Sequence, residues 1–475
     1  MSFSVVVAIG LYFILMLAIG YFSSKRVDAE EDFSIAGRRL SPLLLACSIA
    51  ATELGIGSTL GVFEKAFGDW GLSAAWYILA MVFAFIIISV FAPKFRKTEV
   101  KTIPEYFRRR YGKKSGLISA IIMIIPLIIF VVIQFVAAGT ILSILLGIDY
   151  KITVSIIAFI VISYTLLGGM WGVAISDFIQ SIFIIIGLIL VSIYTLRLCN
   201  NFPNVVKHVP YESLNLYKGL DTPKIISLVI MYVATFTVGQ EVAVNFFSIN
   251  HSYDSTKGTI FTAFLLLVFA FVPTLLGLML FSLTKLGYID TSVVFVDGLR
   301  YSLLHLALNA MPPFLIGTLF LSLLSATMSS ADSDILAVGS IFSNDIYNVY
   351  FDNKASSKQL IFISRLSIAM FGFVAYLLAL FNSGSILAIL IFVFSLRAAG
   401  AFIPYVFGLY WAKSSAQGSI AAMIVGSLSF IIFKILNIKI FDLEPLILSL
   451  LISFVAFITF SKLFPPAVET LELSD

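Results

Sequence analysis

The sequence has 475 residues, 60% of them hydrophobic and only 12% charged, with 30 Lys and Arg against 26 Asp and Glu for a formal net charge of +4. A soluble domain carries about 25% charged residues, so a string of soluble domains is excluded and a polytopic membrane protein fits. The two cysteines, Cys47 and Cys199, give no disulfide framework, and the three histidines (His208, His251, His305) have no metal-ligand spacing, so no soluble-type enzyme site is expected.

A helix needs about 20 apolar residues to cross a bilayer core. Such runs begin near Ser2, Pro42, Gly71, Gly116, Ile152, Val173, Lys224, Gly258, Pro312, Leu360, Gly384, Gly418 and Pro445, which predicts thirteen transmembrane helices in an all-α polytopic membrane protein. The first, VVVAIGLYFILMLAIGYF, lacks a basic start and is followed by Lys25 and Arg26, so it reads as a retained helix, not a signal peptide. Residues 94–116, KFRKTEVKTIPEYFRRRYGKKSG, carry nine Lys and Arg against two Glu. The positive-inside rule places that loop in the cytoplasm. Counting spans from it puts the N-terminus outside and the C-terminus in the cytoplasm, in a plasma membrane.

Two runs are interrupted. SIAATELGIGSTLG, residues 48–61, sets Glu53 among apolar residues and follows it with Gly55, Gly57 and Gly61. Five spans later, YVATFTVGQEVAV places Gly239, Gln240 and Glu241 at membrane depth. An odd number of spans inverts the second half, so the pattern predicts a 5+5 inverted repeat whose halves each start with a discontinuous helix. Unwinding frees backbone carbonyls and amides, which in lipid must find partners such as an ion and a polar solute. Close helix packing over glycine is the competing explanation. One domain over residues 1–475 is expected: an extra helix and cytoplasmic loop (1–41), a first repeat (42–199), an external loop and second repeat (200–411), and two extra helices with a tail (412–475).

In the ninth run, LSLLSATMSSADSDIL (321–336), Ser322, Ser325, Ala326, Ser329, Ser330 and Ser333 recur at spacings of three and four and share one helix face. Hydroxyls and freed carbonyls are hard donors suited to an alkali cation, while the same spacing also makes a small-residue packing stripe. Asp332 and Asp334 favour the cation, because a membrane-depth acid needs a partner.

SATMSSADSDILAVGSIFSNDIY resembles the signature of the sodium/solute symporter family, which has the leucine-transporter-like inverted-repeat fold. GGMWGVAISDFIQ (168–180) is similar to that family's Gly-Gly loop followed by Asp and Gln, and DFSIAGRRLSP to its first cytoplasmic loop. The resemblance implies a sodium site with carbonyls from Ala51, Leu54 and Ala326 and hydroxyls from Ser329 and Ser330. It also admits a second cation at Asp177 and Ser333, with Asp332 where some members have serine. The sequence departs after the second break: Val244 and Asn245 stand where many members carry Gln-Arg, which leaves the cytoplasmic contacts of that helix open.

Glu53, Gly55, Gln134, Gln240 and Glu241 are the expected solute contacts. Glu53 has three readings: contact with an amino or cationic group of the solute, a proton carrier, or a partner for Arg397 in IFVFSLRAAGAFIP, whose other candidate partner is Glu241. Some family members carry choline, but the four tryptophans (Trp70, Trp76, Trp171, Trp411) are not on the broken helices, so no aromatic cage is evident. The expected function is a sodium-coupled symporter importing a small polar organic solute, amine-bearing or zwitterionic, by alternating access. A proton-coupled symporter of the same fold, or a solute sensor acting with a separate signalling protein, are the alternatives. The expected partners are the solute, the sodium coupling ion and the lipid bilayer, with no other cofactor, no nucleic acid and no obligate protein partner.

Overall fold

The computed structural model describes residues 3–288, 292, 298–381, 386–438 and 444–466. Among these residues the chain is helical, and the one β-bridge joins Leu40 to Ile249. Helix suits such a sequence because it satisfies each backbone group within its own segment, as a bilayer core demands. The helices are α1 (Phe3–Ser24), α2 (Pro42–Glu53), α3 (Gly57–Phe67), α4 (Trp76–Lys97), α5 (Ile103–Tyr111), α6 (Lys113–Leu146), α7 (Tyr150–Leu198) and α8 (Thr222–Val238). They continue with α9 (Gln240–Phe247), α10 (Ser252–Phe269), α11 (Val272–Lys285), α12 (Pro313–Ile341), α13 (Ser357–Ala379), α14 (Ile386–Tyr410), α15 (Ala416–Ile435) and α16 (Pro445–Leu463).

Local chemistry sets the ends. Ser41 caps α2 by accepting from the Leu44 amide at 3.3 Å, with Pro42 in the first turn. Thr102 and Asp221 cap α5 and α8 in the same way, at 3.0 Å each. α6 stops where Gly147 turns left-handed at φ 66°.

Among the described residues, ten helices or helix runs are long and apolar enough to cross a membrane, or twelve if each of two bent pairs is one span. The expected thirteen is not confirmed at that number. The difference lies in α7, one helical run of 49 residues where two spans are expected. A single crossing takes about 20 residues, so α7 has the length for two, and its backbone turns inside the run at Gly169 (φ 53°, ψ −148°). An added Cβ at Gly169 would meet the Phe33 carbonyl at 2.6 Å, so glycine serves both the turn and the close approach. The runs expected to begin at Ser2 and Gly384 start outside the described residues.

α12 is the central post. Every residue from Ser322 to Ile341 is buried, and the helix packs chiefly on α6 and α7, with further contact to α2 and α9. A helix buried all round lies inside a bundle and not at its lipid surface.

The basic end is tied across elements. Arg38 donates to the Phe247 carbonyl at 3.2 Å, Arg96 to the Ile249 carbonyl at 2.6 Å, and the Leu40 amide to the Ser248 carbonyl at 3.0 Å. These backbone-directed bonds hold the end of α9, where Val244 and Asn245 left the contacts open. Glu30 pairs with Lys101 and accepts from Asn344 at 2.9 Å, and Thr102 donates to Asp345 at 2.6 Å.

Candidate functional site

The site lies where two bent helices meet α12. α2 and α3 bend by 58° across Leu54 to Ile56, and α8 and α9 by 56° across Gly239. At the first bend the freed carbonyls find hydroxyls. Ser58 donates to the Glu53 carbonyl at 2.6 Å and Thr59 to the Gly55 carbonyl at 2.9 Å. At the second, Gly239 is extended (φ −69°, ψ 117°).

α12 crosses the last turn of α2 through its serines. Ser329 Oγ donates to the Ala51 carbonyl at 2.9 Å and lies 3.3 Å from the Ala326 carbonyl. Ser330 Oγ reaches the Thr52 carbonyl at 2.6 Å and the Ala326 carbonyl at 3.1 Å. Four of the five expected cation donors, Ala51, Ala326, Ser329 and Ser330, are thus brought together. Leu54 stands at the bend with its amide on the Ala50 carbonyl at 3.0 Å, and no hydrogen bond among the described residues joins it to α12. Gly55 faces the same helix: a Cβ there would lie 2.5 Å from Ser330 Oγ and 3.0 Å from Gln134 Nε2. Gln134 Oε1 stands 3.5 Å from the Ile56 amide, at the outer limit of a hydrogen bond.

The serine stripe divides. Ser322 donates to the Phe183 carbonyl on α7 at 2.7 Å and Ser325 to Tyr12 on α1 at 3.2 Å, so its first half makes packing contacts. The second half turns toward α2.

A second polar cluster sits one turn further along. Asp177 accepts from Ser48 at 2.5 Å, and Asp332 accepts from Tyr164 at 2.7 Å and Ser176 at 3.3 Å through the same carboxylate oxygen. Each aspartate's other oxygen is buried and has no hydrogen bond among the described residues. Ser333, 3.0 Å from Thr52 Oγ1, neighbours both carboxyl groups. The sequence reading missed Ser48 and Thr52, which lie one turn apart on α2 just before Glu53. Polar residues four apart upstream of the break are the signal that marks them.

The expected solute contacts separate into two groups. Glu53 and Gly55 stay at the first bend beside Gln134. Gln240 instead fixes the start of α5: its Oε1 accepts from the Ile103 amide at 2.7 Å and its Nε2 donates to the Lys101 carbonyl at 3.2 Å. Glu241 is the partner of Arg397, through two bonds of 2.8 and 2.6 Å in a fully buried pair. Glu53 makes no ion pair with Arg397. The guanidinium also lies over the rings of Phe130 and Phe394, at 5.6 and 5.8 Å from their centroids. Gly239 leaves room for the pair, since a Cβ there would be 2.6 Å from Glu241 Oε1 and 2.8 Å from Arg397 Nη2.

Comparison with known proteins agrees with this architecture. The osmoregulated proline transporter OpuE of Bacillus subtilis (strain 168) is 29% identical over 447 residues, covering 91% of this chain and 89% of OpuE. A sodium/proline symporter of Staphylococcus aureus (strain NCTC 8325 / PS 47) is 27% identical, covering 90% and 85%. Among solved structures, a Na+-coupled sialic acid symporter in a substrate-bound outward-open state superposes with a TM-score of 0.81 at 20% identity, over 98% of this chain and 99% of that one. MhsT in complex with L-phenylalanine superposes at 0.53 and 15% identity, covering 89% and 98%. These likenesses fix the fold as the leucine-transporter type. Residues 33–426 match the family model of the sodium:solute symporter family, so the chain belongs to that family of sodium-coupled symporters.

Proposed function

We propose that this symporter imports a small polar organic solute, amine-bearing or zwitterionic, by alternating access, with sodium held between the first bend and α12. The observation that carries the reading is the pair of serine hydroxyls bonded across to the last turn of α2, Ser329 to Ala51 and Ser330 to Thr52. An alkali cation seated there would accept the carbonyl lone pairs that the two hydroxyls now bond, each O–H rotating away with its proton kept. Carbonyls of Ala51, Leu54 and Ala326 and hydroxyls of Ser329 and Ser330 then turn lone pairs toward it. All five donors are uncharged, which suits a monovalent ion that must also leave. Filling the site ties α12 to the bend and so orders Glu53 and Gly55 for the solute. Coupling follows if the ion binds the solute-competent state better than the other.

The driving force is adequate. One charge crossing 100 mV yields about 2.3 kcal/mol, and a tenfold sodium gradient adds about 1.4 kcal/mol. Together they support roughly a few hundred-fold accumulation per ion. The spare oxygens of Asp177 and Asp332, with Ser333, support a second cation in the same cycle. The nine basic residues of 94–116 favour a cytoplasmic basic end, an external N-terminus and a plasma-membrane location.

Reconstitution in proteoliposomes with sodium and proton gradients imposed separately tests the reading. Solute uptake is expected to follow the sodium gradient and to survive collapse of the proton gradient. Uptake that follows protons and ignores sodium overturns it.

A further inference from the structure

The geometry points to a second binding site, apart from the polar site at the bends. It is a cavity between α8, α14, α15 and α16 that takes an uncharged molecule with an apolar body and one hydrogen-bonding group, and its occupation holds α8 in place. The cavity measures about 450 Å³, within the range of small-molecule sites. It opens at the start of α8, the end of the bundle opposite the basic one, since α8 continues through α9 to Phe247, where Arg38 bonds the chain.

The lining divides by depth. Met231, Phe430, Leu446 and Ser395 are buried and form the floor, whereas Lys224 and Lys434 stand partly or fully exposed at the mouth with Glu444. Ser395 is 4% exposed, and its hydroxyl has no hydrogen bond among the described residues. A buried hydroxyl left without a partner is costly, and a hydroxyl or carbonyl on a ligand recovers that cost. An ion pressed against Met231, Phe430 and Leu446 would have no counter-charge, so the floor admits only a neutral group. The mouth does not select an ion either. Lys224 is bonded to Asp221 at 3.1 Å, and Lys434 shares the mouth with Glu444, so the charges balance and solvent weakens them. The occupant is therefore a neutral amphiphile, chemically unlike the polar solute.

Its effect follows from which helices it touches. One turn below Met231, Thr235 of α8 donates to the Phe394 carbonyl of α14 at 2.8 Å, and further along the same two helices stand Gly239 and Arg397. A molecule seated between Met231 and Ser395 fits while α8 keeps this position against α14, so it favours the state described. That state also gathers four of the five sodium donors. Two ligands that favour one state raise each other's affinity by the same factor.

The test uses the full chain in detergent and calorimetric titration of 4-phenylbutan-1-ol, 4-phenylbutanoate and 4-phenylbutylammonium, which share one apolar body and differ at one end. The alcohol is expected to bind saturably at concentrations where the two ions do not. Ser395→Ala is expected to weaken it by about three- to tenfold, the value of one net hydrogen bond. Met231→Trp fills the cavity and is expected to abolish saturable binding, which separates the site from partition into detergent. A sodium-induced rise in melting temperature reports that each variant folds. In the wild-type protein, saturating alcohol is expected to lower the sodium concentration giving half-maximal stabilisation by about fivefold or more. The site is overturned if either ion binds as well as the alcohol, or if Ser395→Ala or a folded Met231→Trp binds the alcohol as the wild type does. An unmoved sodium midpoint overturns the coupling to α8. A missing sodium response in the wild-type protein would instead overturn the symport reading.

Discussion

At the first bend the chain leaves α-helix after Glu53, offers its carbonyls to serines on α12, and leaves the Glu53 carboxyl group without a partner among the described residues. At the second bend, of almost the same angle, Gly239 turns the backbone and the carboxylate two residues later closes on Arg397. Each bend opens one half of the inverted repeat, and each carries a glutamate within two residues of a glycine. Position in the repeat therefore does not decide what an acid does. The partner supplied by the facing helix decides it. α14 brings a guanidinium to the second bend, whereas α12 brings hydroxyls and another carboxylate to the first.

Breaking the pair at the second bend should have the largest effect. Arg397→Met leaves Glu241 charged and alone in a dry site, and removing one partner of a buried pair costs about 3–5 kcal/mol. Detergent-solubilised protein should melt much earlier or fail to accumulate. The double change Glu241→Gln with Arg397→Met removes both charges and should recover most of the loss. A double variant no better than the single would mean that the pair matters through something other than its charge.

The matching change at the first bend should behave in the opposite way. Glu53→Gln keeps the shape and removes an unpartnered buried charge, so resistance to melting should hold or rise. Solute binding should fall by about 30-fold or more, as expected where a buried charged contact is truncated. Sodium binding should move little. Equal loss of solute and sodium binding would place Glu53 in the cation site itself. Replacing Ser329 and Ser330 together by alanine should reverse that selectivity. Two of five donors go, and the sodium concentration giving half-maximal stabilisation should rise by more than about tenfold, or 1.4 kcal/mol. An unchanged sodium midpoint would remove the site from this crossing.

Both bends were legible in the sequence because glycine beside an acid is conspicuous inside an apolar run. The serine face of α12 was legible in part. Ser322, Ser325, Ser329 and Ser330 have the same spacing rule, yet the first two meet α7 and α1 and the last two meet α2. Periodicity gives the face of a helix and says nothing of which neighbour each turn meets. The same gap left Arg397 divided between Glu53 and Glu241. The span count is left unconfirmed at α7, where Gly168 and Gly169 look like a loop in sequence but only Gly169 departs from helical backbone. Gln240 gave no warning at all, since its partners are a backbone amide and a backbone carbonyl of another loop, and any residue type could have supplied them.

That same Gln240 gives the smallest and most diagnostic of these tests. It joins the second bend to the start of α5 with two hydrogen bonds, each worth about 0.5–1.5 kcal/mol net. Gln240→Met removes both and should lower stability by about 1–3 kcal/mol. In a transporter that alternates between states, a bond made in one state and lost in the other biases the equilibrium between them. Weakening it reduces the population of the state described here, and ligands that favour that state lose apparent affinity in proportion to that population. Sodium and solute should therefore weaken together, by the same factor, if both favour it. Glu53→Gln, by contrast, should separate them. If Gln240→Met lowered solute affinity while leaving the sodium midpoint in place, Gln240 would be touching the solute after all, and the second bend would belong to the binding site alongside the first.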